Sequence, residues 1–261
     1  NTLNLINLKS IKIIAHRGAS FDAPENTLAS VNLAWRQNIN YVEVDVKLTK
    51  DNNLVVFHDN TTFRFNQVDK LINQYTLNGL STVDVGFLKG KKWKEEYIPT
   101  LEQVINTIPK NGTLVVELKD GPEMQNALVD LANRNNTIWN QLEFISFNYE
   151  TICMTKKMFS ENKCLWLLDL DYDSETSKQI PSIQNIIHKV KQHNLDGIDV
   201  FAGKIADKPF FESIHRENLE IYLWTINSLE HARQYLPFSP HGITTDRPKW
   251  LQEQLKKING K

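Results

Sequence analysis

Cysteine is nearly absent: 261 residues contain two, Cys153 and Cys164. Two cysteines build no disulfide framework, and their spacing matches no zinc motif, so both read as small core residues. An excess of charge of one sign is missing too. Lys and Arg total 30 against 31 Asp and Glu, a net charge of −1 with His neutral. Binding to a phosphate backbone needs a cationic surplus, so no nucleic-acid partner is expected. No apolar run approaches the ~18 residues of a spanning helix, so stable membrane insertion is not expected either. Gly/Ser linkers, low-complexity tracts and internal repeats are also lacking, which points to a single domain over residues 1–261. The chain opens on Asn1 rather than Met. A removed signal peptide would make the protein periplasmic or secreted; without one it would be cytoplasmic.

What is present is an ordinary globular composition, 41% hydrophobic and 23% charged. Short, β-branched apolar runs recur at 11–15, 41–46, 113–118, 142–147, 164–168, 195–200, 219–224 and 242–245. Helical periodicity fills most intervals, at 27–37, 123–134, 149–159, 181–192, 208–217 and 229–236. Eight strands alternating with helices predict a (β/α)8 TIM barrel, with a doubly wound open sheet as the alternative. One run breaks the alternation. Residues 54–58 (LVVFH) follow Val46 after about seven residues, too few for a parallel crossover. An antiparallel hairpin over 41–58 is therefore predicted, turning at Lys50, Asp51, Asn52 and Asn53. A turn centred between Asp51 and Asn52 pairs position 45 with position 58 and sets His58 beside Asp45.

Polar groups gather at the C-terminal ends of these runs: His16 and Arg17, Glu43 and Asp45, Glu117 and Lys119, and Asp246. That rim is where a βα barrel builds its active site. Glu43 and Asp45 are two apart on a strand and share one face. Two carboxylates ~4 Å apart repel by ~4 kcal/mol at an effective dielectric of ~20. Two arrangements relieve this: ion pairs with Arg17 and Lys119, or a divalent cation, for which all-oxygen ligands favour Mg²⁺ or Ca²⁺ over zinc. Among seven histidines, His188, His193, His215 and His231 sit in polar helical segments and His241 in a loop, with no assigned role. His16 and His58 differ, since both follow apolar runs near the acids and could serve as general acid and base.

HRGASFDAPENT (16–27), the acid pair in VEVDV, VVFHD ending at Asp59, IPTLEQV (98–104), VVELK (115–119), WTIN (224–227) and GITTDRP (242–248) resemble the glycerophosphodiester phosphodiesterase family, in the family's order. The resemblance covers almost the whole chain. It implies a (β/α)8 barrel that uses a divalent cation to hydrolyse glycerophosphodiesters, its small-molecule substrates, to glycerol 3-phosphate and an alcohol. Carried over by position, Glu43, Asp45 and Glu117 resemble the metal ligands and His16 and His58 the acid/base pair, with His16 taken as acid. Arg17 and Lys119 match positions facing the phosphate, and Trp224 resembles an apolar wall of the pocket. Glu25 and Asn26 are expected to orient these groups and to start a helix. The resemblance also implies that the nucleophile is a glycerol hydroxyl giving a cyclic phosphate, or else water.

The chain departs from the family after the HD pair. There NTTFRFNQVDKLIN keeps Arg64 but places Asn66 where Thr is expected and lacks glycine. Residues 59–97 correspond to a small insertion bordering the substrate. Its Phe63, Phe65, Tyr75, Phe87, Trp93 and Tyr97 could line the substrate, but most are expected to form the insertion's own core. Two other readings stay open. A related barrel phospholipase, similar to sphingomyelinase D, is disfavoured by PENT and by the lack of a lipid-facing apolar or basic stretch. A barrel that binds glycerophosphodiesters without turnover is disfavoured because both histidines, all three acids, Arg17 and Lys119 are retained.

Overall fold

The β-branched runs of the sequence form strands buried on both faces, which is why they read as nearly continuous hydrophobic segments. The structure is a computed structural model describing residues 11–172, 174 and 179–259. Residues 1–10, on which the question of a leader bears, lie outside the described residues. In chain order the strands are β1 (Lys12–Ala15), β2 (Tyr41–Leu48), β3 (Leu54–Val56), β4 (Thr113–Leu118), β5 (Leu142–Ser146), β6 (Lys163–Leu168), β7 (Asp171–Tyr172), β8 (Gln179–Ile180), β9 (Gly197–Phe201), β10 (Glu220–Trp224) and β11 (Gly242–Thr245). Strands β1, β2, β4, β5, β6, β9, β10 and β11 pair in parallel in that order. Pairing of β1 with both β11 and β2 closes the sheet into a (β/α)8 barrel and excludes the open doubly wound alternative.

Side chains alternate across this wall. Ile14, Val115, Ile145, Leu165, Leu167 and Tyr222 fill the interior. Val42, Val44, Val116, Ile198 and Val200 face the surrounding helices. The helices start on side-chain caps that satisfy exposed backbone N–H groups. Thr27 accepts from the Ser30 amide, Asn148 from Thr151, Asp207 from Phe210 and Ser228 from His231. These caps follow strands, so the helix N-termini lie on the same end of the barrel as the strand C-termini.

The hairpin forms, but its register differs by one residue from the sequence expectation. Val46 pairs with Val56 and Leu48 with Leu54, and the Phe57 amide donates to the Asp45 carbonyl at 2.9 Å. Asp45 therefore stands opposite Phe57, and His58 lies one residue beyond. Asn52 adopts a left-handed φ of 58°, and the Thr49 amide donates to the Asn53 carbonyl at 2.9 Å. A three-residue loop ending in a left-handed residue centres the turn on Asp51 rather than after it. The insertion that follows has its own core of Val55, Phe57, Ile72, Tyr75, Leu80, Val83, Val85 and Ile98, with Phe65 packed against it. Phe63, Phe87 and Tyr97 stay exposed and Trp93 is not part of that core, so of the six aromatics it takes Tyr75 and Phe65 alone, and the expectation that most of them form it does not hold. The sequence pattern did not mark the β7–β8 hairpin or the helix Pro248–Asn259.

Candidate active site

Three connections bring the predicted residues to one mouth. Strands β1 and β3 share one edge of β2 end to end: β1 pairs with Tyr41 and Val42, β3 with Val46 to Leu48, and β4 takes the opposite edge. The segments that leave β1 and β3 therefore meet beside Glu43–Asp45. The Gly18 amide donates to the Glu43 carbonyl at 3.2 Å, and the Phe57 amide to the Asp45 carbonyl at 2.9 Å. His16 and His58 ride on these two segments. Opposite, Asp45 pairs in register with Glu117.

The turn carrying His16 is tightly wound. Arg17 and Gly18 both have left-handed φ, 55° and 81°. A Cβ on Gly18 would lie 2.5 Å from the Ser30 hydroxyl oxygen, so only glycine fits. For Arg17 that conformation is costly. It is held because the Arg17 amide donates to Glu43 Oε2 at 2.8 Å and its carbonyl accepts from Ser30 Oγ at 2.9 Å.

The carboxylates of Glu43, Asp45 and Glu117 are buried, and each offers an oxygen within 4.8 Å of the others. Arg17 Nε lies 3.0 Å from Asp45 Oδ2, and Lys119 Nζ lies 3.4 Å from Asp45 Oδ1 and 2.9 Å from Glu117 Oε1. Asn26 Nδ2 donates to Asp45 Oδ2 at 2.8 Å, while the Asp45 amide donates to Asn26 Oδ1 at 3.1 Å. Burial alone would raise the Asp45 pKa, but Arg17, Lys119, His58 and Asn26 bring it down to about 2. Its neighbours are not so compensated. Burial and the Asp45 charge raise Glu117 to about 7 and push Glu43 well above the usual carboxylate range. Among the described residues Glu43 Oε1 is buried with no hydrogen-bond partner. The ion-pair arrangement thus accounts for Asp45 but leaves the cluster short of positive charge, since Arg17 also serves Glu25 at 3.2 Å. An orphaned carboxylate oxygen among hard oxygen donors fits a divalent cation.

Each histidine is braced by a carboxylate. His16 Nδ1 lies 2.6 Å from Asp246 Oδ1 and His58 Nδ1 lies 3.0 Å from Asp59 Oδ1. Asp246 is itself held by Asn227 Nδ2 at 2.6 Å and Ser20 Oγ at 3.2 Å. Asp59 accepts from Arg64 Nε at 2.8 Å, and Arg64 Nη2 reaches Glu25 Oε1 at 2.7 Å. Burial lowers the His58 pKa, opposed by the Asp45 charge. Burial would raise that of Asp246, but the His16 contact takes it below its usual value.

Comparison with known proteins bears on this constellation directly. The model of the glycerophosphoryl diester phosphodiesterase family matches residues 16–250, a span that holds every group just described. The chain belongs to this family. A glycerophosphodiester phosphodiesterase of Caldanaerobacter subterraneus subsp. tengcongensis is 28% identical, over 94% of this chain and 98% of that protein. An Oleispira antarctica phosphodiesterase, solved in complex with the product sn-glycerol-3-phosphate, is 29% identical with a TM-score of 0.83, covering 96% of this chain and 99% of that one. A Thermotoga maritima glycerophosphodiester phosphodiesterase, 23% identical with a TM-score of 0.74 over 94% of this chain and 98% of that one, shares the fold.

As a glycerophosphoryl diester phosphodiesterase by family, the chain is an enzyme of the phosphoric diester hydrolase class. The phosphodiesterase mouth has a charged side and an aromatic side. Trp224 ends β10 and stands between Phe147 and Phe201, with ring centroids 5.7 and 5.2 Å away. Sequence reasoning named Trp224 but missed both phenylalanines, as well as Asp246 as the brace of His16, Asn227 as the brace of Asp246 and Arg64 as a brace of Asp59. Glu25 and Asn26 do orient the acids and Arg17 as expected, whereas the helix is capped by Thr27. Phe147 and Phe201 could have been found from phase: each continues the inward alternation of its strand by one more step.

Proposed function

We propose that this phosphodiesterase hydrolyses glycerophosphodiesters to glycerol 3-phosphate and an alcohol, with His16 and His58 as acid and base and with Glu43, Asp45 and Glu117 holding a divalent cation, Mg²⁺ or Ca²⁺. The observation that carries the reading is the pair of carboxylate-backed imidazoles meeting opposite one buried acidic cluster. Such a cation supplies charge neutralisation for the anionic phosphodiester. Arg17 and Lys119 contribute the same from the protein side, binding the phosphoryl oxygens at the cost of part of their hold on Asp45. The aromatic side packs Trp224 against the carbon skeleton of the substrate.

Proton movement follows from the bracing. A carboxylate on Nδ1 keeps a proton there and turns Nε2 toward the mouth. Burial favours the neutral form of His58, which suits it to take the proton of the attacking hydroxyl. Asp246 fixes His16 through Nδ1 at 2.6 Å, which sets Nε2 to donate a proton to the departing alkoxide. The attacking hydroxyl is that of glycerol, closing a cyclic phosphate that water then opens.

The test is release of glycerol 3-phosphate from glycerophosphocholine, glycerophosphoethanolamine and glycerophosphoinositol, each with Mg²⁺, Ca²⁺ or a chelator. Release from at least one substrate that stops on chelation supports the proposal. Undiminished release after thorough chelation overturns the cation, and saturable binding with no product over long incubation overturns hydrolysis.

A further inference from the structure

The expectation that the chain lacks a lipid-facing apolar or basic stretch does not hold for residues 87–94 (FLKGKKWK), which the fold sets beside the active-site mouth. Phe87 and Leu88 are 43% and 53% exposed, and Phe21, on the turn after β1, is 54% exposed. Large hydrophobic side chains are normally covered in a soluble protein, and a group of them on one rim marks an interaction surface. Lys89, Lys91, Lys92 and Lys94 follow within the same short segment and are all exposed. Four positive charges in six residues are conspicuous in a chain with a net charge of −1. Among the described residues none of the four makes a salt bridge. The nearby Asp84 accepts from the backbone amides of Gly86, Phe87 and Glu95, and of the four lysines Lys94 adds its charge in favour of that carboxylate.

The segment is tied to the site. Lys89 Nζ donates to the Ser20 carbonyl at 2.6 Å, and Lys89 borders a cavity of about 240 Å³ shared with His16, Arg17, Glu25 and Asp246. Whatever covers Phe87 and Leu88 therefore lies against the mouth of the barrel. Exposed apolar tips set among lysines complement one surface in particular, a bilayer whose head groups are anionic and whose acyl region begins a few ångströms below.

We propose that the segment Phe87–Lys94, with Phe21 beside it, docks on an anionic lipid surface and seats the mouth of the barrel there. The apolar tips enter the interface while Lys91, Lys92 and Lys94 meet the phosphates; among the described residues no helix is long and apolar enough to cross the bilayer. Docking goes beyond the proposed hydrolysis and does not depend on it.

The experiment is co-sedimentation of the full chain with vesicles of mixed phosphatidylglycerol and phosphatidylcholine, compared with phosphatidylcholine alone, at low and high salt. Two double variants accompany it, Phe87→Ser/Leu88→Ser and Lys91→Glu/Lys92→Glu, with the thermal midpoint as the check on folding. The expected result is salt-sensitive binding to the anionic vesicles only, reduced about tenfold or more in each variant. A wild-type chain that stays in the supernatant with anionic vesicles at low salt overturns the proposal and leaves an acidic protein as the partner for this rim. Both variants sedimenting like wild type also overturns it. Vesicle binding is read without turnover, so its failure is distinct from a failure of the hydrolysis assay.

Discussion

The Oδ1 atom of Asp246 lies 2.6 Å from Nδ1 of His16, joining residues 230 positions apart in the chain. The contact exists because β11 closes the barrel against β1, pairing Ala15 with Thr245 one step before each of the two residues. Asp246 should therefore act as a positioning residue that fixes the imidazole with Nε2 toward the mouth. Asp246→Asn keeps the shape but removes the charge, and kcat is expected to fall by about 10²–10⁴-fold with little change in KM. Steady-state kinetics with a soluble glycerophosphodiester checks this. A comparable fall for His16→Ala, with no further loss in the double variant, would show that the two act as one unit; near wild-type turnover in Asp246→Asn would remove that role.

The acidic cluster predicts a response to cations. Glu43 Oε1 has no partner among the described residues, and Arg17 and Lys119 are already engaged with Asp45, Glu117 and Glu25. Added Mg²⁺ or Ca²⁺ should raise the thermal midpoint by linkage, with about 2.7 kcal/mol of stabilisation at a hundredfold excess over Kd. Glu43→Gln and Asp45→Asn should each lose the cation-dependent shift. A midpoint indifferent to either cation over a wide concentration range would contradict the assignment.

Much of this site was legible because its residues sit in short, locally ordered motifs. The eight strands announced themselves as apolar runs, and phase along β2 placed Glu43 and Asp45 on one face without any knowledge of β4. The braces were not legible in the same way. Asp246 reaches His16 only through barrel closure, with Asn227 holding Asp246 from β10's end, and Arg64 reaches Asp59 across a turn whose sequence departs from the family's pattern. The hairpin register failed by one residue because it depends on the left-handed φ of Asn52, a conformational choice that residue type permits but does not dictate. The docking rim was legible in part: Phe87, Leu88 and the four lysines are contiguous over residues 87–94, and only Phe21 is brought to them by the fold, where Lys89 Nζ reaches the Ser20 carbonyl.

Asp199 gives a pH prediction. It is buried on β9, its Oδ1 has no partner among the described residues, and burial together with the Glu117 and Glu143 charges raises its pKa well above the ordinary value. The folded chain therefore holds a proton that the unfolded chain releases above about pH 4. Because the native state binds more protons, this group makes stability fall as pH rises from there toward its folded pKa. Asp199→Asn removes that loss, so its thermal midpoint should exceed wild type at neutral pH, by roughly 2–4 °C for each kcal/mol. The gap should close as pH approaches about 4. A gap independent of pH would show that Asp199 is not the titrating group.

At the opposite end of the barrel, Glu143 predicts stability without activity. Tyr222 OH donates to Glu143 Oε2 at 2.8 Å, and Lys12 Nζ and Lys163 Nζ each lie 3.6 Å from Oε1. Glu220 is the second acid of this plug, 3.2 Å from Lys12 Nζ. Glu143→Gln leaves two lysines sharing one carboxylate in a largely dry barrel end. Breaking a buried pair costs about 3–5 kcal/mol, and the lower end applies because the Lys12 and Lys163 side chains keep 18% and 24% of their surface exposed. Urea denaturation should show the loss as a lower midpoint at unchanged slope, while kcat on a soluble substrate stays near wild type because the mouth is untouched. Adding Lys12→Met to Glu143→Gln removes the surplus charge and should recover part of the stability. If the double variant is no more stable than the single one, the cost arises from the lost Tyr222 hydrogen bond rather than from the unpaired lysine.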